Sequence, residues 1–285
     1  MITIRQLTNI SIDEIHNAFK DAFSDYAEPF DLTKAQLQYM IERRGFNFEL
    51  SFGAFNNNTL VGFTLNGVDE WNNKLTAYDT GTGIVKEYRR QGLASKMFND
   101  SIPILKKHGI KQYLLEVIKT NVSAFDLYKK AGFKITREFD YYTAAIDQLK
   151  INSNKEVDGV IIKEIKPDWK KLKSLWDFNP SWQNSVNSID RKIEHFRFLG
   201  AYKNNDLVGY GIVEPHTGDI PQLCVGKNYR KLGVGMFIFS NLVKLITGSS
   251  LKIINVSVEN EPFKIFAKSI NLTSGFGQYE MILDI

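Results

Sequence analysis

Two short segments combine residue types suited to holding an anion: YRRQGLASK at 88–96 and YRKLGVGMF at 229–237. Each follows an apolar run with basic side chains, then a glycine, then a small residue two places on. Read as strand, turn and helix, such a segment ends at a helix whose first N–H groups lack partners. Gly92 carries no side chain, so a ligand can come close to the backbone. The helix dipole adds partial positive charge. Arg89 and Arg90 add full charges and fork-shaped donors that suit phosphate. The implied chemistry is a phosphate cradle. A solvated basic turn with a capping glycine would account for one such segment. The recurrence, the preceding apolar strand and the small residue after the glycine favour the cradle. Neither G-x-x-x-x-G-K-[ST] nor a G-x-G-x-x-G with a following acidic residue occurs, and the glycines of TGTG (80–83) precede more strand rather than a helix.

The elements that must position these turns are written twice. GAFNNNTLVGF (53–63) and GAYKNNDLVGY (200–210) align without gaps and share seven of eleven residues. Arg89, Gly92 and Ala94 then match Arg230, Gly233 and Gly235, and LEVIKTN (115–121) faces INVSVEN (254–260). Three matches in the same order point to a duplication. The first copy reads as strand ITIRQL and helix SIDEIHNAFKDAF, with Ser11 and Glu14 as a capping box. A second helix TKAQLQYMIERR and a hairpin with an Asn-rich turn follow. Then come strand KLTAYDTGTGIV, a helix from about Gln91 to Lys107, strand QYLLEVI, helix SAFDLYKKA and strand FKITREFDYY. Pro103 falls inside the long helix, where it removes a donor and is expected to bend or split it. The polar, Asn-rich stretch near 147–156 reads as a linker between domains at 1–146 and 157–285. The expected class is α/β, each half a twisted mixed sheet with helices on both faces.

Composition bounds the function. The 285 residues are of ordinary apolar content, and the mild net charge of +4 does not argue for a nucleic-acid or membrane-surface partner; the interspersed acidic residues speak against nucleic acid, and neither partner is expected. No apolar run reaches 18 residues, and the first residues lack a signal peptide's apolar core. Cys224 is the single cysteine, which fits a reducing cytoplasm, and it reads as a small buried apolar residue. The four histidines are scattered without metal-ligand spacing, so no metal is expected.

R-x-x-G-x-A (Arg89 to Ala94) and R-x-x-G-x-G (Arg230 to Gly235) resemble the pyrophosphate-binding motif of GNAT-superfamily N-acetyltransferases. LEVIKTNVSAFDLYKKAGF (115–133) is similar to the next block of that family, especially in acetyltransferases of ribosomal-protein N-termini. The resemblance covers most of 1–146 with two linked motifs, and 157–285 with the hairpin repeat and one motif. It implies two tandem GNAT-like domains, each with a splayed strand pair, and acetyl-CoA as cosubstrate. It also implies direct attack of a primary amine on the thioester. Backbone groups near Ile84 and Val85 would meet the pantetheine arm. The turn, with Arg89, Arg90, Gln91, Gly92, Leu93, Ala94 and Ser95, would hold the pyrophosphate. Asn121 would fix the pantetheine, Tyr128 would protonate the departing thiolate, and Glu116 would accept a proton from the amine. Tyr26, Glu28, Tyr141 and Tyr142 would border the acceptor, a small amine or a peptide N-terminus.

Each assignment has a plainer counterpart. Tyr128 would otherwise be a packing aromatic, and Glu116 a strand residue bound to a neighbour. In the second copy the alignment sets Ala267 opposite Tyr128 and Asn255 opposite Glu116. Alanine cannot protonate a thiolate, so the first domain is expected to be the active one. Arg230, Gly233 and Gly235 would then mark a second cofactor turn or a vestige. The rival from another class is an acyl-CoA-binding protein without catalysis, which needs no Tyr128.

Overall fold

The chain is described by a computed structural model over residues 1–25, 31–151 and 156–285. The first repeat runs β1 (Ile2–Gln6), α1 (Ile12–Phe23), α2 (Lys34–Arg43), β2 (Phe52–Asn56), β3 (Thr59–Trp71) and β4 (Lys74–Ile84). It continues with α3 (Leu93–Lys107), β5 (Gln112–Ile118), α4 (Val122–Lys130) and β6 (Lys134–Ala145). The second repeat runs β7 (Val160–Glu164), α5 (Trp169–Lys173), α6 (Val186–Asp190), β8 (Arg197–Lys203), β9 (Asp206–Glu214) and β10 (Asp219–Val225). It ends with α7 (Val234–Val243), β11 (Ser250–Ser257), α8 (Glu261–Ser269) and β12 (Gln278–Asp284).

Local chemistry accounts for these boundaries. Ser11 and Glu14 form the expected capping box of α1, each satisfying a backbone N–H of the other's turn. The Asn-rich hairpins turn through positive φ, at Asn57 in the first repeat and at Asn204 and Asn205 in the second. Asparagine tolerates that region better than most residues. Pro103 lies inside α3 without ending it.

The residues gather into two compact units, Met1–Thr136 with Tyr279–Ile285, and Arg137–Gln278. These units cut across the contiguous division of the sequence at 147–156. Strand order in the first is β1-β2-β3-β4-β5-β12, and in the second β6-β11-β10-β9-β8-β7. The last strand of each repeat therefore belongs to the sheet of the other. In the first unit β4 and β5 pair in parallel, while β1 to β4 form an antiparallel meander. One face of that sheet buries Phe55, Leu60 and Phe63 against α1 and α2. The other buries Ala54 and Val61 against α3, and Tyr113 and Leu115 in the cluster with Leu105 and Phe133. The mixed sheet with helices on both faces is as expected. No described helix is long and apolar enough to cross a membrane.

β12 fits the first unit by its alternation. Tyr279, Met281 and Leu283 join the core beside Phe133 and Tyr113, while Glu280 takes a hydrogen bond from Thr136 Oγ1 (2.8 Å). Ile285 N–H bonds Lys111 O (3.0 Å) at the start of β5. Met281 is 1% exposed. Met281→Ala is expected to destabilise the first unit by about 2–5 kcal/mol. Amide exchange should accelerate in residues 112–118 well before residues 206–214. Acceleration confined to the latter would contradict this placement of β12.

Candidate functional site

β4 and β5 pair from Thr76/Gln112 to Asp79/Leu115 and stop there, although both strands continue. The cause is visible on the other edge of β4. Its register with β3 shifts between Leu65↔Gly81 and Asn66↔Asp79, so Thr80 is an extra residue. Such a bulge sharpens twist and bends the strand that carries it. Asn66 clamps the paired half from below. It is fully buried, its N–H bonds Ser51 Oγ, its amide donates to Leu50 O, and its Oδ1 accepts from Tyr113 Oη. A buried amide satisfied at each of these points is a rigid anchor.

A cavity of about 320 Å³ opens at this divergence, lined among others by Asp79, Thr82, Ser95, Asn99, Tyr113 and Tyr128. Tyr128, on α4, donates its hydroxyl proton to Asp79 Oδ2 at 2.9 Å. Thr82 Oγ1 lies 2.8 Å from the same oxygen and 3.1 Å from Thr64 Oγ1. Asp79 Oδ1 is shut off from solvent and has no hydrogen-bond partner among the described residues. Burial pushes the Asp79 carboxyl up, against the hydrogen bonds from Thr82 and Tyr128 and the nearby Gly81 amide and Arg44 charge, all of which pull it down. Burial, then the Asp79 charge, holds the Tyr128 hydroxyl well above its ordinary value. The tyrosine is thus kept protonated.

Glu116 occupies the opposite face of β5 from Tyr113, Leu115 and Val117, which join the core beside Phe133. Its Oε2 accepts from Tyr78 Oη at 3.1 Å. The acid candidate and the base candidate therefore sit on the two sides of the sheet beside the same gap.

The turn before α3 has the geometry of an anion nest. Arg90 has φ +61° and Gly92 φ +72°, with Gln91 between them outside that region. Alternation of this kind turns successive N–H groups into one concavity. A Cβ placed on Gly92 would meet nothing within 4 Å, so the space over the turn is open. Ala94 and Ser95 line the cavity, and Leu93 is buried beneath it. Arg90 and Gln91 are exposed.

Several expected ligands are committed elsewhere. The Arg89 guanidinium holds Asp25 through both nitrogens (2.9 and 2.7 Å) and also donates to Ala22 O and Ile84 O. It ties α1 to the end of β4. Arg230 repeats this, bonding Val225 O and Asp177. Ile84 O thus serves Arg89, and Val85 N–H bonds Val61 O. Strand backbone across the gap from β5 begins instead at Thr80. The Asn121 side chain caps α4 by accepting from Ala124 N–H, and Asn260 caps α8 in the same way. Tyr141 and Tyr142 belong to the second unit, where Tyr141 stacks on Phe276 and Tyr142 is buried in the core. Tyr26 and Glu28 lie outside the described residues.

The second unit keeps the turn and fills the gap. Lys231 and Gly233 have φ +61° and +89°, but a Cβ on Gly233 would lie 3.4 Å from Val157. β10 and β11 pair only at Asp219↔Lys252. Beyond that point the chain's own 181–184 segment bridges them. Gln222 donates to Asn184 O (2.7 Å), Asn184 donates to Ile254 O (2.8 Å), and Asn255 donates to Ser181 Oγ (3.0 Å). Ala267, opposite Tyr128 in the alignment, is buried on α8. The Cys224 thiol is pushed up to about 11 by burial, which suits packing rather than attack.

Sequence reasoning missed Asp79, Thr82 and Tyr78. One signal was available: an aspartate in the middle of a strand, between Tyr78 and Thr80, is out of place by propensity.

A model of the acetyltransferase (GNAT) family matches residues 12–133. N-alpha-acetyltransferase 30 of Schizosaccharomyces pombe is 30% identical over 128 residues, which is 44% of this chain and 82% of that protein. N-alpha-acetyltransferase 50 of Danio rerio is 34% identical over 100 residues, 35% of this chain and 60% of its own length. A GCN5-related N-acetyltransferase from Sphaerobacter thermophilus has a TM-score of 0.75 at 11% identity, over 99% of this chain and 95% of its own. A tandem GNAT protein from the clavulanic acid biosynthesis pathway has a TM-score of 0.74 at 10% identity, over 100% and 98%. At these identities the two structures speak for the fold.

Asp79 binds its proton more tightly folded than unfolded. The stability linked to that proton is fully present below the ordinary aspartate range and is lost as pH rises through the raised value. Asp79→Asn removes the titration. Denaturation of both proteins from pH 4 to pH 9 is expected to show the wild type losing ground to the variant as pH rises. A constant difference would refute it.

Proposed function

This chain belongs to the acetyltransferase (GNAT) family, and from that premise we propose that its first unit moves an acetyl group from acetyl-CoA to a primary amine by direct attack. The observation that carries the reading is the position of Tyr128, whose hydroxyl stands at the divergence of β4 and β5 beside a cavity that Ser95, next to the glycine turn, also lines.

The chain's residues divide the work by face. The turn from Arg90 to Ser95 binds the pyrophosphate through backbone N–H groups and the start of α3. Arg90 contributes charge, while Arg89 holds the turn against α1. The diverging part of β4 from Thr80 onward offers its edge to the pantetheine arm. This leads the thioester to Tyr128. The amine comes from the other side of the sheet, where Glu116, hydrogen-bonded by Tyr78, accepts its proton. Attack forms the C–N bond and breaks the C–S bond, and Tyr128 gives its proton to the thiolate. Supply of a general acid on one face and a base on the other suits a complex that holds both substrates at once.

The names of the curated relatives, both N-alpha-acetyltransferases, favour a peptide α-amine as acceptor, with a small amine as the other arm of a substrate screen. Three features of the second unit favour activity in the first: the gap filled by 181–184, Val157 beside Gly233, and Ala267 in place of the tyrosine. A protein that only binds acyl-CoA would not need a proton donor at the gap, which is where the Tyr128 hydroxyl stands. The single cysteine agrees with a cytoplasmic enzyme.

Titration calorimetry with coenzyme A is expected to show binding that Gly92→Val abolishes, since φ +72° strains any branched residue and the new side chain enters the open space over the turn. Tyr128→Phe is expected to keep that binding and to lower kcat by about 10²-fold or more. Wild-type protein without affinity for coenzyme A at low ionic strength would end this reading. Unchanged turnover in Tyr128→Phe would remove the tyrosine from it.

A further inference from the structure

Tyr128 has one proton and two acceptors to serve. In the resting site it donates to Asp79 Oδ2 (2.9 Å). As the acid of the proposed reaction it must donate to sulfur instead. An ionised carboxylate only accepts hydrogen bonds, so it would hold the tyrosine's proton away from the thioester; a protonated one donates to the phenol oxygen and frees that proton.

We propose that Asp79 works in its acid form as the partner that turns the Tyr128 proton toward the thioester and then replaces it. The proposal rests on the acetyltransferase reading above. The balance is closed. The amine nitrogen bonds the acetyl carbon, the C–S bond breaks, and the thiolate takes the Tyr128 proton. The phenolate takes the proton of the Asp79 carboxyl, and the carboxylate left behind is reprotonated from solvent, to which Glu116 in turn gives up the amine's proton, so that no net proton is consumed. The amine's own proton leaves on the opposite face at Glu116.

The geometry supports this assignment at four points. Asp79 is the last residue paired across β4 and β5, directly where the gap begins. It lines the cavity together with Tyr128. Thr82, a hydroxyl rotor 3.1 Å from Thr64, can turn its proton away when Oδ2 carries one. Oδ1 is buried and receives no well-aligned hydrogen bond among the described residues, with the Gly81 amide as the donor nearby, which is costly for a full charge. The groups facing Asp79 are Tyr128 from α4, Tyr113 from β5, Thr82 and the Gly81 amide from β4, and the charge of Arg44 beyond α2. Arg44 is the one cation among them, and burial outweighs it.

Asp79 acts through Tyr128 and does not itself touch the substrate, so the test must separate proton supply from structure. Asp79→Asn can still donate to the phenol oxygen but has no acidic proton to pass on. It is expected to lower kcat by about 10-fold or more while KM for acetyl-CoA changes little. The alkaline fall in wild-type kcat is expected to vanish or move upward in the variant. Wild-type kcat with an unaltered pH profile in Asp79→Asn overturns the proposal and leaves the acetyltransferase reading standing. No acetyl transfer by the wild type overturns both. A second measurement needs no variant. A carboxyl ¹³C resonance of the wild-type protein is expected to titrate above the ordinary aspartate range and to shift on saturation with coenzyme A. Carboxyl resonances that all titrate in the ordinary range overturn the proposal even if Asp79→Asn fails to fold.

Discussion

The site depends on a parallel strand pair that is made to separate. Parallel strands bond evenly along their length, and β4 and β5 are each long enough to continue. The extra residue Thr80 prevents it by bending β4 at the point where pairing stops. Backbone edges, the cavity and the last paired residue then coincide. Asp79 is placed at the apex, and α4 can lower Tyr128 onto it. Below the apex, Asn66 and Tyr113 hold the paired half so that the bend stays local. Opening a sheet in this way costs ladder hydrogen bonds. A ligand with amides of its own can restore them.

The two repeats share this plan and use it differently. Both have the alternating backbone of an anion turn, and both spend the turn's first arginine on an acidic residue upstream, Asp25 in one and Asp177 in the other. An arginine within a phosphate-type turn is therefore not for that reason a phosphate ligand. Here it fastens the strand end from which the turn departs. The repeats part at the gap. In the first unit it opens on a cavity, and in the second it is bridged by side-chain and backbone bonds to 181–184. Once a gap has its own hydrogen-bond partners, the advantage of admitting a ligand is gone.

The exchange of final strands gives the C-terminal residues a place in the first unit. Tyr279 packs on Phe125 of α4, the helix that carries Tyr128. Met281 and Leu283 fill the core beneath Phe133. The first unit is complete only when the last seven residues of the chain are present.

Much of this was legible in the sequence where the controlling residues are neighbours. The capping box at Ser11, the Asn-rich hairpins, the strand QYLLEVI and the glycine turn at 92 are each specified within a few residues, by periodicity, caps and φ preference. The duplication was legible too, and with it the loss of a hydroxyl at Ala267. Other features were decided by packing between distant segments. Arg89 meets Asp25 from 64 residues away, and Tyr128 meets Asp79 from 49. The choice of sheet for β12 was likewise beyond local pattern, because it rests on contacts with distant segments, Tyr279 on Phe125 and Ile285 N–H on Lys111 O. A side chain's type declares what it can bond to; only the folded chain decides which partner lies within reach and whether water is there to compete.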